Sequence, residues 1–158
     1  MGSILVKDGR SVVFLTTWSA GSDLPLALHG ALARRQRWND GPYLARVVFC
    51  SMILRNESPD PDLANWNFDG DLGYGISARL EGAGDAAHPV IMLDIQTQTV
   101  AYITVEDAAR VAEDSAFAAT PLPAARWTIS EYITGRREHP RFHYQYLSQQ
   151  GRFHERDA

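Results

Sequence analysis

Apolar positions change their period along the first half of the chain. Ile4-Leu5-Val6 and Ser11 to Thr17 flank Lys7-Asp8-Gly9-Arg10, and an Asp-Gly turn between β-branched runs predicts a hairpin, because glycine tolerates the positive φ of a tight turn. Leu24, Leu28, Ala31 and Leu32 then recur at helical spacing, with Ser22 placed as an N-cap and Pro25 in the first turn, so a helix is predicted over about residues 23–36. Asp40 followed by Pro42 is a second start signal, for a helix over about 42–55. Apolar residues cover most of its circumference, which predicts a central, buried helix. Arg46 interrupts that surface and needs solvent or a carboxylate.

Residues 56–72 read as an irregular acidic loop, followed by a strand from Gly73 to Leu80 and a linker from Glu81 to Pro89. Val90 to Ile95 and Thr99 to Thr104 form a second predicted hairpin around Gln96-Thr97-Gln98, and Glu106 to Glu113 a short helix. Pro121 and Pro123 break the chain before Trp127, and Ser130 is placed to cap a last helical turn. Hairpin-linked strands with grouped helices argue an α+β fold, an antiparallel sheet of about five strands with one face packed on two main helices. Residues 1–135 are read as a single domain and 136–158 as a basic, aromatic C-terminal arm that docks on its own domain or a neighbouring subunit.

Composition narrows the function classes. The 158 residues suffice for one domain with a proper core, and a net charge of −4 makes nucleic acid an unexpected partner, because phosphate binding needs a basic footprint. The single cysteine, Cys50, excludes an intramolecular disulfide and is read as a buried packing residue, so a cytoplasmic location is expected. Met1 to Arg10 has no long apolar core of a signal peptide, and Val47 to Leu54 is too short to span a bilayer, so no membrane is expected as a partner.

The stretch TTWSAGSDLP raises the possibility of an anion site at a helix N-terminus. Asp23 already places a carboxylate there, so an ordinary cap is the better reading. Arg79 to Gly84 spells R-x-x-G-x-G, the acyl-CoA pyrophosphate pattern, but the chain enters a strand too soon to leave room for the helix the motif requires. Asn67 to Asp71 begins like a calcium loop, but Leu72 stands where the turn glycine belongs. No serine sits in a G-x-S-x-G elbow, His29 is a helix-surface residue as readily as a base, and Pro140 stands between His139 and His143 against a regular helical metal pair. No catalytic residue, metal ligand or cofactor is expected. Two oddities remain: the glycines around Tyr74, which suggest a bulge or a close backbone approach, and the arginines and aromatics of the tail, a composition that can bind single strands.

TTWSAGSDLP, RWNDGPYLARVVFCSMI and GYGI followed by a hairpin with DIQTQTV occur in an order that resembles a family of small, mostly uncharacterised phage, prophage and bacterial proteins. The resemblance covers roughly residues 14–105. It implies a non-catalytic binding protein, expected to be a homo-oligomer, that engages a polar small molecule or a host protein, with counter-defence as one setting. Thr17, Trp18, Ser19, Ser22, Arg46 and Tyr74 are the expected ligand contacts, on the expectation that the strand-to-helix turn and the GYG strand converge. Two alternatives are a small enzyme acting on nucleotides or acyl donors through a base such as His29, and a decoy of a nucleic-acid-binding protein presenting Asp60, Asp62, Asp69 and Asp71.

Overall fold

The computed structural model describes residues 1–18, 24–54, 73–80, 82–136 and 138–154. Strands β1 (Gly2–Asp8), β2 (Ser11–Thr17), β3 (Tyr74–Ser77), β4 (Val90–Asp94), β5 (Thr99–Ile103) and β6 (Arg126–Thr128) form a six-stranded sheet in the order β3-β2-β1-β4-β5-β6. The helices are α1 (Leu24–Leu32), α2 (Gly41–Leu54), α3 (Val105–Glu113), α4 (Ile129–Thr134) and α5 (Glu138–Gln149). The α+β class holds, but the sheet is mixed. β1 pairs antiparallel with β2, while β4 lies parallel to β1 with Ile4 opposite Ile91. Reading neighbouring strands as hairpins captures β1–β2 and β4–β5; the excursion through α1, α2 and β3 then returns the chain to the free side of β1 in the same direction. A parallel pair needs a long crossover of this kind.

Both faces of the sheet are covered, not one. Ile4, Val6, Leu15, Ile91, Leu93, Val100 and Tyr102 face a main core shared with α1, α2, α4 and α5. Their strand neighbours Leu5, Phe14, Val90, Ala101 and Ile103 point the other way, into a second core closed by Val105, Ala108 and Val111 of α3 and by Phe153. Successive strand residues face opposite sides, so the unbroken apolar run Ile4-Leu5-Val6 requires two-sided burial.

The helix predicted to be central is a surface helix. Leu44, Val47, Val48 and Met52 of α2 are buried, whereas Arg46, Cys50 and Leu54 form an exposed stripe at four-residue steps. The thiol of Cys50 is therefore exposed, against the buried reading. Asp40 caps α2 as expected, its Oδ1 accepting from Tyr43 N at 3.1 Å. The α4 cap is Thr128 rather than Ser130: Thr128 Oγ1 accepts from Glu131 N at 3.0 Å while Glu131 Oε1 accepts from Thr128 N at 3.2 Å.

The C-terminal segment is part of the core. Pro140 falls in the first turn of α5, where its missing N–H costs nothing, so it does not break the helix. Tyr144 and Leu147 insert into the main core, and beyond the helix Phe153 enters the second, its carbonyl accepting from Val105 N at 2.8 Å. One segment thus holds both layers to the sheet.

Candidate ligand-binding groove

Gly75, after Tyr74, has a local cause. A Cβ on Gly75 would lie 3.3 Å from Cη2 and Cζ3 of Trp18, and one on Gly82 would lie 3.8 Å from the Trp18 indole nitrogen and 2.8 Å from Met1 Sδ. Gly82 also has a φ of +66°, a left-handed conformation that glycine adopts without strain. The close approach is made by the chain's own tryptophan. Trp18 is anchored by its backbone N–H, which donates to Gly73 O at 2.8 Å, and its side chain remains 45% exposed.

Among the described residues, the expected contacts do not gather around that ring. Thr17 is buried and stands opposite Tyr74 in the β2–β3 register, and Tyr74 packs edge-on against Phe49 of α2 with ring centroids 6.3 Å apart. Gly75, and with it Trp18, faces the other side of the sheet by strand alternation. Arg46 is exposed on α2 with its guanidinium 5.3 Å from the Tyr43 ring centroid. Ser19, Ser22, Asp60, Asp62, Asp69 and Asp71 lie outside the described residues, as do the capping question at the TTWSAGSDLP turn and the calcium-like loop. His29 Nε2 donates to Ile133 O at 3.3 Å, a contact that ties α1 to α4.

A concavity lies at the opposite edge of the sheet. Trp127 of β6, Glu131 and Thr134 of α4, then Gly135 and Arg136, and finally His139 and Pro140 of α5 line a groove of about 400 Å³. That volume falls in the range of small-molecule sites, roughly 300–1,000 Å³. Its aromatic wall is fixed. Trp127 meets Tyr102 and Tyr132 edge-on at centroid distances of 4.9 and 5.4 Å. The Tyr102 hydroxyl donates to Pro140 O at 2.9 Å and pairs with the Tyr132 hydroxyl at 3.1 Å. Burial pushes the Tyr102, Tyr132 and Tyr144 phenols up from their ordinary value, so all three stay protonated at neutral pH.

The polar rim is equally defined. Glu131 is held by its capping bond, and Thr134 Oγ1 donates to Ser130 O at 2.7 Å, so that hydroxyl is already engaged. Arg136 is exposed and has no ion-pair partner among the described residues. His139 and His143 do share one helix, with ring centroids 6.4 Å apart and planes 11° apart. His143 Nε2 lies 2.7 Å from Pro123 O; a carbonyl only accepts, so that nitrogen carries the proton. The arrangement offers a cation, a carboxylate and an indole face around a preformed space. Readable signs of this corner were present in Thr128-x-x-Glu131, a capping-box spacing, and in Pro140 near a helix start.

The acyl-CoA pattern fails structurally as its spacing indicated: Ala83–Asp85 form only a short 3-10 turn before β4. Among the described residues no cluster of three or more metal-ligating side chains occurs, and no helix is long and apolar enough to cross a membrane. Compared with protein-family models, curated proteins and solved structures, the chain matches none.

Proposed function

We propose that this chain is a binding protein that takes a polar small molecule in the groove between α4 and α5. The ligand's planar part rests on Trp127 and Pro140, an anionic group meets Arg136 and His139, and a hydrogen-bond donor meets Glu131. The observation that carries the reading is a braced aromatic wall facing an arginine with no carboxylate partner among the described residues. A wall fixed before binding loses little conformational freedom on association, so more of the contact energy becomes affinity. Among the described residues, the only hydroxyl side chain lining the groove is already committed to a backbone carbonyl, which supports binding over nucleophilic chemistry there.

The test is calorimetric titration with aromatic carboxylates and nucleoside monophosphates, repeated on Arg136→Gln and Trp127→Phe. Loss of an exposed charge-assisted contact corresponds to roughly tenfold weaker binding. Binding that both variants retain in full would remove the groove from the account, and a host protein captured equally well by both would move recognition to another surface.

A further inference from the structure

The connection between α1 and α2 carries an unbalanced positive charge. Arg34, Arg35 and Arg37 are exposed in it, and Arg46 is exposed on the following helix. None of the four has a carboxylate within ion-pair distance among the described residues, although the whole chain is acidic at −4. Three of the four guanidiniums lie over aromatic rings. Those of Arg37 and Arg46 lie 4.8 and 5.3 Å from the same Tyr43 ring centroid, and that of Arg35 lies 6.0 Å from the Trp38 ring. A guanidinium placed over a ring keeps N–H groups open to a second partner.

The loop beneath is pinned. Trp38 Nε1 donates to Leu32 O at 3.1 Å, Gln98 Nε2 donates to Trp38 O at 2.8 Å, and the Tyr43 hydroxyl donates to Gln36 Oε1 at 3.2 Å. Arg35 and Arg37 both sit at positive φ, +54° and +51°. Left-handed residues at a helix exit are usually glycine or asparagine, so two arginines there are unusual. Helix electrostatics accounts for only part of the set. A cation just beyond α1 suits that helix's C-terminus, which explains Arg34 and Arg35; Arg37 and Arg46 flank the first turns of α2, where positive charge is unfavourable. Asp40 caps that helix start, but its carboxylate pairs with neither guanidinium, so two like charges stand against one ring with no ion-pair partner among the described residues, an arrangement that suits an anion bridging them.

We infer that this face binds a small, multiply charged phosphate anion, with Arg37 and Arg46 as its two clamps and Arg34 and Arg35 supplying further charge. Fork-shaped guanidinium donors suit phosphate oxygens. A polyphosphate chain fits better than a nucleic acid, because the Tyr43 ring is already occupied by arginine, Trp38 is half-buried, and the basic footprint is confined to one loop and one helix start. This surface is separate from the α4–α5 groove, and neither reading depends on the other.

Inorganic tripolyphosphate is the probe, titrated calorimetrically into the full chain at 50 and 200 mM salt. Saturable binding that weakens with salt, and that falls at least tenfold in Arg37→Gln/Arg46→Gln with an unchanged circular dichroism spectrum, is expected. Arg34→Gln/Arg35→Gln should weaken it less, and keeps the question answerable if the first variant does not fold. Arg126→Gln, on β6, should bind as the parent does. No heat at millimolar tripolyphosphate, or equal binding by the Arg37/Arg46 variant, overturns the inference. Tighter binding of a single-stranded oligonucleotide than of tripolyphosphate at the same salt also overturns it, in favour of a macromolecular partner.

Discussion

Trp18 and Trp127 occupy matching places, each near one outer edge of the sheet, and they do opposite things. Trp18 lies across Gly75, where a side chain would meet its ring, and its indole nitrogen borders Gly82, whose tight neighbour is Met1 Sδ. Trp127 is braced from behind by Tyr102 and Tyr132, and its remaining surface lines an open groove with Glu131, Arg136 and His139. One tryptophan packs over a glycine of the neighbouring strand; the other lines a groove. Unusual local composition is therefore a poor guide to a site when a nearby side chain can consume the space, and an unremarkable segment can present a better one.

The contrast can be broken by substitution. Trp127→Ala should have the largest effect, about 2–4 kcal/mol in urea denaturation, because it removes a partly buried ring packed on two tyrosines. Trp18→Ala should cost clearly less, and an equal loss would mean that both rings are structural in the same way. Gly82→Ala comes next at about 1–2 kcal/mol, since alanine at a φ of +66° is strained and its methyl would meet Met1 Sδ. Arg136→Gln should change the unfolding free energy by no more than about 0.5 kcal/mol while weakening ligand binding, the signature of a surface residue kept for recognition.

A further effect concerns pH. Burial, and then the positive N-terminus, hold His88 below its ordinary value of 6.5. Its ring stacks on Tyr144 of α5 and its Nδ1 lies 2.7 Å from Ser148 Oγ. A folded histidine that stays neutral while the unfolded one takes a proton makes stability fall as pH drops below about 6.5, by at most about 1.4 kcal/mol per pH unit. Above that pH both forms are neutral and the term vanishes. His88→Asn should flatten the slope; an unchanged slope would assign it to other groups.

Much of the fold was legible because local signals and tertiary packing agreed. Asp8-Gly9 marked the first hairpin, Asp40 and Pro42 the start of α2, and Val90 to Thr104 the second hairpin. What escaped depended on long-range partners. The parallel β1–β4 pairing leaves no local mark, and β6 is three residues long and alternates weakly. α5 was obscured by Pro140, whose meaning depends on whether it falls in a first turn. Apolar pattern alone also misplaced Cys50, since α2 exposes one stripe even though cysteine and leucine occupy it. Of the expected contacts, Thr17 and Tyr74 do meet as a cross-strand pair, but strand alternation sends Trp18 to the other face. Arg46 belongs with Tyr43 and Arg37 instead.

The most direct test of the central claim is a ¹H–¹⁵N spectrum following the tryptophan indole signals during titration with a library of aromatic carboxylates and nucleoside monophosphates, assigned with Trp127→Phe and Trp18→Phe. The expected result is saturable movement of the Trp127 indole while the Trp18 indole stays fixed, with the movement lost in Arg136→Gln. Movement of Trp18 with Trp127 unchanged would contradict the account and return recognition to the turn after β2.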